Sequence, residues 1–393
     1  MALGLCIAGT WSGLGRPGDV TVEILAGGGA PRRWPRLIAQ EVSMARRPGA
    51  LPLPRATHEG RGYSSWRGGP LITRRKLVLA ATLLPAWAAF AQQAKVFRIG
   101  VLETTRMEGN VSFDVLRRSL HDLGYAEARN LAFEYRSSDG RNERFAELAA
   151  DLVRLKVDLI VTRGTPATLA AKAATRTIPI VTTAASDPVR TGLVQSLARP
   201  GGNVTGLDPF ASDLYVKRLE LVKETFPGIS RIGNMADMTN PVNQQTWKEH
   251  DAAARSRGIE RTLLDVRTAD DIAPAFEAAT KHRLGAITVS IDGVMSANLK
   301  TIVQLAARHR VPTVHASREF VDAGAMMSYA VDYRHLYARA AIYADKILKG
   351  AKAGELPIEQ PTKFELVINM KAAKALGITI PPAVRVRADE VIE

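Results

Sequence analysis

A chain of 393 residues that is 46% hydrophobic and 23% charged has apolar material for two domains with cores of their own, and needs neither metal nor disulfide to fold. Its net charge of +14 raises nucleic acid or an anionic membrane as a partner, yet residues 1–91 hold 12 Lys and Arg against 4 Asp and Glu, so more than half of the excess sits in one N-terminal arm. The remaining basic residues are dispersed among acidic ones, which argues against nucleic acid, and the single cysteine, Cys6, lies in the arm and leaves no thiol for a zinc site or a nucleophile beyond it.

The arm ends in Thr73-Arg74-Arg75-Lys76, a 15-residue apolar run from Leu77 to Ala91, and the small-x-small sequence Ala89-Phe90-Ala91. This is the layout of a secretory signal peptide over residues 71–91, with cleavage expected after Ala91 and export to the periplasm by the twin-arginine or the general secretory route. The run is short for a membrane span and is interrupted by Pro85. Residues 1–70, rich in Gly, Pro and Arg without helical period, read as a disordered extension from a start codon assigned too early.

From Lys95 onward short β-branched runs alternate with amphipathic helices, the pattern of an α/β protein with parallel sheets. Strands are expected at Phe97–Val101, Leu131–Tyr135, Asp158–Val161 and Ile178–Val181. Apolar stripes at Phe113, Leu116, Leu120 and Leu123, and at Phe145, Leu148, Ala149, Leu152 and Val153, predict helices between them. The scheme repeats with strands around Ile232, Ile259, Ala286 and Thr313, whose centres stand 27 residues apart. Two α/β lobes of this kind form a cleft, and a ligand would sit at the carboxyl ends of the strands.

Between the halves, Ile178-Pro179-Ile180-Val181 is followed by Ser186 through Gly206, reading SDPVRTGLVQSLARPGGNVTG. With Gly164-Thr165-Pro166-Ala167, Lys217-Arg218-Leu219-Glu220-Leu221 and the ending Ala388-Asp389-Glu390-Val391-Ile392, this run resembles a family of ABC transporter substrate-binding proteins from about Phe97 to the C-terminus. The resemblance implies the type I periplasmic binding protein fold: two Rossmann-like lobes joined by three crossovers, a small-molecule ligand in the cleft, and an ABC permease in the inner membrane as partner. Some members of that family are linked to aromatic amino acids. By the same analogy lobe 1 spans 96–208 and 325–349, and lobe 2 spans 209–324 and 350–393. Hinges are expected at Leu207–Ser212, Val321–Gly324 and Gly350–Leu356. The loop Glu103-Thr104-Thr105-Arg106-Met107-Glu108 is more charged than is usual in the family, which points to an atypical ligand.

The candidate ligand-binding residues follow the strand ends. Thr104 and Thr105 follow the first strand. Gly164 and Thr165 open a helix at Pro166, where Thr165 would act as N-cap, or would combine with free backbone N–H groups to hold a carboxylate. Ala185 and Ser186 would line the site, while Asp187 reads first as the cap of a following helix. Asp292, after Ser290-Ile291, would cap a helix or accept a ligand ammonium. Asp237 occupies the matching loop one unit earlier, with Asn240 to Asn243 offering amides, and Ser317 completes the set. No G-x-S-x-G or H-E-x-x-H is present, so no catalytic residue, metal or cofactor is assigned and no enzyme is expected. The competing class is a ligand-sensing receptor or regulator on the same fold, and no helix-turn-helix precedes Phe97 to support a repressor.

Overall fold

The computed structural model describes residues 95–393. The expected signal peptide and the extension before it lie outside these residues.

The first lobe is built on β1 (Phe97–Glu103), β2 (Leu131–Ser137), β3 (Leu159–Thr162), β4 (Ile180–Thr182) and β5 (Val204–Gly206), all parallel in the order β2-β1-β3-β4-β5. Helices α1 (Val111–Asp122), α2 (Phe145–Arg154) and α3 (Thr165–Ala174) connect the strands. Strand side chains alternate between two cores, as the pleat requires. Ile99, Val101, Leu159 and Val161 join Phe113, Leu116 and Leu120 of α1, whereas Leu102 and Ile160 join Leu148 and Leu152 of α2 and Ala167 and Ala171 of α3. Each large apolar side chain so buried contributes about 1.5–3 kcal/mol. Asn110 starts α1 by accepting the Phe113 N–H at 3.0 Å.

The second lobe runs through α4 (Ala211–Thr225), β6 (Arg231–Ala236), α5 (Pro241–Arg255), β7 (Glu260–Asp265), α6 (Ile272–Lys281), β8 (Ile287–Val289), α7 (Gly293–Ala297), α8 (Leu299–His309), β9 (Thr313–His315), α9 (Arg318–Asp322) and β10 (Met327–Ala330). The chain then sends α10 (Tyr333–Leu348) back to the first lobe, where Leu336, Tyr337, Ala340 and Ala344 pack with the α1 stripe. It finishes in the second with β11 (Glu365–Asn369), α11 (Met370–Ala375), α12 (Pro382–Val386) and β12 (Glu390–Ile392). The second sheet has the order β12-β11-β10-β9-β8-β6-β7 and is parallel except between β10 and β11. The first sheet is all parallel and the second mostly so, as expected of two α/β lobes. After α10 the chain enters β11 from the opposite end of the sheet.

Two expected boundaries move. The sequence places the return to the first lobe at 325, but β10 pairs with both β9 and β11, so the crossing comes at Val331-Asp332, and Val321–Gly324, which lies between the end of α9 and β10 within the second lobe, is not a hinge. Residues Gly350–Leu356 likewise stay on the first lobe: Gly201 donates to the Gly354 carbonyl, and Ile358 donates to Leu197. The last crossing follows Glu359, which bridges Leu207. The first and third crossovers therefore run side by side, tied by Asp208 N–H to the Glu359 carbonyl and by Gln360 to the Asp208 carboxylate.

Candidate ligand-binding site

Both sheets turn their carboxyl edges toward one another, and a cavity of about 100 Å³ lies between them. From the first lobe it is lined by Thr104 after β1, by Arg163, Gly164 and Thr165 after β3, and by Ala184 and Ser186 after β4. The second lobe contributes Tyr215 and Arg218 of α4, Asn234 of β6, and Thr288, Ser290 and Asp292 at the end of β8. Val242, Thr246 and His250 repeat every four residues along α5, so that one wall follows the helix for about 12 Å. Tyr333, at the start of α10, also faces the cavity.

The lobes meet around this space. Asn142, from the loop before α2, donates to Asp237 Oδ2 at 2.7 Å and to Thr239 Oγ1 at 3.1 Å. Arg190 makes two bonds, of 3.1 and 3.0 Å, to Glu249 on α5. Ser212 donates to Asp187 Oδ2 at 2.7 Å, and Glu319 of α9 meets both Ser112 (3.3 Å) and Arg163 (3.5 Å). A Cβ on Gly140 would lie 3.0 Å from Ala297 Cβ and Val294 Cα across the gap. This is a closed clamp.

The expected residues divide into those at the cavity and those beside it. Gly164, not Thr165, is the N-cap of α3: its φ of +85° suits glycine, and no side chain caps the helix. Thr165 lines the cavity, but its hydroxyl accepts from the Ser186 N–H (3.0 Å) and donates to the Ser186 carbonyl (3.3 Å). Ser186 lines the cavity. Ala185 instead points into the core of the first lobe, and Ala184 takes its place at the wall. Thr104 lines the site and Thr105 does not, since Thr105 receives the Asn110 amide and its carbonyl receives the Tyr135 hydroxyl. The charges of that loop turn away: Glu103 is buried beneath Tyr337, where burial raises its pKa, and Arg106 pairs with Asp139.

Asp187 caps nothing, because no helix follows it; the chain enters a turn and its carboxylate takes Ser212. Ser317 is an N-cap, accepting the Glu319 N–H at 3.2 Å, and lies outside the cavity. Asp237 is also outside; its carboxylate, raised in pKa by burial, takes Thr239 and Asn142. Asp292 reaches the cavity and, though it sits at the N-cap position of α7, makes no side-chain cap. Its Oδ2 accepts from the Asp237 N–H (3.0 Å), Asn243 (2.8 Å) and Ser290, and its Oδ1 accepts from Asn240 (2.7 Å).

Sequence reasoning missed the two arginines. Arg163 is 5% exposed, its guanidinium 5.2 Å over the Tyr333 ring, and its Nη2 has no hydrogen-bond acceptor. Arg218, on the inward side of α4, is equally buried, and burial pulls its pKa down to about 10. A lone arginine in an amphipathic helix carries no signal that it faces inward. Beside it His250 stacks on Tyr215 at 4.1 Å, and burial, with Arg261 and Arg218 nearby, lowers its pKa to about 4. Thr104 Oγ1 and His250 Nε2 are thus buried at the cavity without a hydrogen-bond partner, and Arg163 Nη2 has only the Glu319 ion pair at 3.5 Å; such groups cost free energy unless something binds them.

A model of the family described as ABC transporter substrate binding protein matches residues 110–392. The tyrosine-binding protein of Clostridioides difficile (strain R20291) is 30% identical over 263 residues, which are 66% of this chain and 75% of that protein. Among solved structures, a conserved domain protein from Vibrio cholerae superposes with a TM-score of 0.69 at 30% identity, covering 76% of this chain and all of that one. An ABC domain from Streptococcus pneumonia in complex with L-Trp superposes at 0.67 and 28% identity, with the same coverage.

Proposed function

We propose that this chain, which belongs to the ABC transporter substrate-binding protein family, closes on an aromatic amino acid in the periplasm and presents it to an ABC permease without transforming it. The observation that carries the reading is the closed cavity, where buried polar groups from both lobes lack protein partners while aromatic rings form the walls. Phe145, Tyr215, His250 and Tyr333 line the cavity, a wall against which an aromatic ring packs favourably. The relatives that bind tyrosine or hold L-Trp support the same ligand class. Export rests on the apolar run closed by Ala89-Phe90-Ala91. No helix among the described residues is long and apolar enough to cross a membrane.

Holding a ligand differs from converting it in what the site must supply. A receptor needs complementary charge, ring contacts and a closing motion. The cavity histidine, held neutral by burial, stacks on a ring and has no carboxylate bonded to it, which supports reading it as a wall rather than as a base.

One preparation tests both parts. Native mass spectrometry of the protein from the envelope fraction should give a chain beginning near Gln92. Calorimetric titration of the stripped protein should then show saturable binding of tyrosine, tryptophan or phenylalanine. A ligand at 100 times its dissociation constant adds about 2.7 kcal/mol to the unfolding free energy, which a thermal melt reads easily. No binding by any of the three would sink the aromatic reading, and finding residues 1–70 still attached would sink the export route.

A further inference from the structure

The charges inside the cavity are unequally satisfied. Asp292 is the acid at the wall, and its two oxygens already accept from Asp237 N–H, Asn243, Ser290 and Asn240. A carboxylate has about four acceptor positions, and with three donors on Oδ2 and one on Oδ1 an arriving ammonium would compete with the protein's own donors. Arg218 is the opposite case. Of its five N–H donors one is used, by Nη1 on the Tyr329 carbonyl at 3.0 Å. No carboxylate of the described residues lies within ion-pair distance, and its neighbours are the Tyr215 ring at 5.9 Å and histidines held neutral. Arg163, by contrast, has Glu319.

An arginine this deeply buried is ordinarily paired, because an isolated charge is costly to desolvate. From this imbalance we infer that Arg218 is the counter-ion of the ligand's carboxylate, and that the site takes aromatic monocarboxylates whether or not they carry an α-amino group. The inference rests on the reading of this cavity as the ligand site. It replaces the division first expected from the sequence, in which Thr165 held the carboxylate and Asp292 the ammonium. The Thr165 hydroxyl is engaged with Ser186, and Asp292 is engaged with its own lobe. The guanidinium fork matches a carboxylate with two parallel N–H donors, so the acid end of the ligand would lie deep against α4 and its ring along α5.

The decisive comparison uses the wild-type chain, stripped of solute, against two matched trios at neutral pH. One is L-tyrosine, 3-(4-hydroxyphenyl)propionate and tyramine; the other is L-tryptophan, indole-3-propionate and tryptamine. For whichever amino acid binds, the propionate should bind within about tenfold of it and the amine at least about 100-fold more weakly. An amine that binds as well as the propionate, or better, overturns the inference while leaving the aromatic reading intact. If no member of either trio binds, and L-phenylalanine does not bind either, the reading of the cavity falls and the inference with it. Arg218→Met should remove binding of the amino acid and the propionate alike, with a ligand-free melting temperature no lower than that of the wild type. Should this variant fail to fold, the wild-type trios decide the matter alone. A folded Arg218→Met that binds the amino acid with unchanged affinity would also overturn the assignment.

Discussion

Asp292 shows how far one residue's role depends on neighbours that sequence order hides. Its position before Gly293 fits a helix cap, yet the carboxylate turns back to Asn240, Asn243, Ser290 and the Asp237 N–H. Asn240 is in turn the N-cap of α5, accepting the Val242 N–H at 3.1 Å, so the aspartate holds the helix start in place. Asp292→Asn would set an amide N–H₂ against one of these donors, and flipping Asn240 to meet it would forfeit the cap. The variant should therefore lose about 1–3 kcal/mol of stability without ligand, read from urea unfolding. A side chain serving only as counter-ion to a ligand would leave ligand-free stability unchanged or raised, and that result would remove the structural role.

At the scale of the elements, the strand ends are where polar groups enter the interior. β9 ends in His315, fully buried between Thr313, which its Nε2 meets at 2.8 Å, and the Phe320 ring of α9, stacked at 4.3 Å. Burial first, and Arg218 second, lower its pKa to about 3. An unfolded histidine titrates near 6.5, so between about pH 6.5 and 3 the unfolded chain binds a proton that the folded one refuses, and stability falls as pH falls. The slope from this one group is about 1.4 kcal/mol per pH unit. Unfolding midpoints measured from pH 7 to pH 5 should drop less steeply in His315→Gln than in the wild type, because glutamine takes no proton. Identical slopes would mean that the ring is accessible to protons in the folded state. Buried Glu103, Asp208 and Asp237 have raised values and act in the opposite direction, which is why the comparison with the variant, rather than the wild-type curve, reads the histidine.

In the whole molecule, three strands of chain link two lobes, and two of them run together at Leu207 and Glu359 while the third passes at Val331-Asp332. Few residues need change their dihedrals for the cleft to open. The contacts that hold it shut are mostly partly exposed pairs such as Arg190 with Glu249, each contributing little in water. A bound solute must therefore supply most of the closing free energy. Solution scattering should show a smaller radius of gyration at saturating ligand. Gly140→Ala places a Cβ where Ala297 and Val294 approach to 3.0 Å, at a φ of +79° that already disfavours a side chain. This variant should bind more weakly and remain expanded at ligand concentrations that close the wild type. Profiles that do not change with ligand in the wild type would count against the clamp.

The period of the apolar residues determined by itself that two α/β lobes form, because helix and strand periodicities are local properties of the chain, and it pointed to the strand ends as the place for a ligand. Family likeness was legible for the same reason: the run from Ser186 to Gly206 is continuous in sequence. Gly164, Thr165, Ser186 and Asp292 could be placed near the cleft because each immediately follows a strand. Their partners could not. Whether Thr165 is free or bonded to Ser186, and whether Asp292 faces a ligand or four protein donors, depends on residues tens of positions away that meet only after the lobes fold. Arg163 and Arg218 were hidden for a related reason. An arginine looks solvated in any linear pattern, and only the packing of the lobes, with α4 on the second sheet and α10 returning across the cleft, withdraws these charges from water.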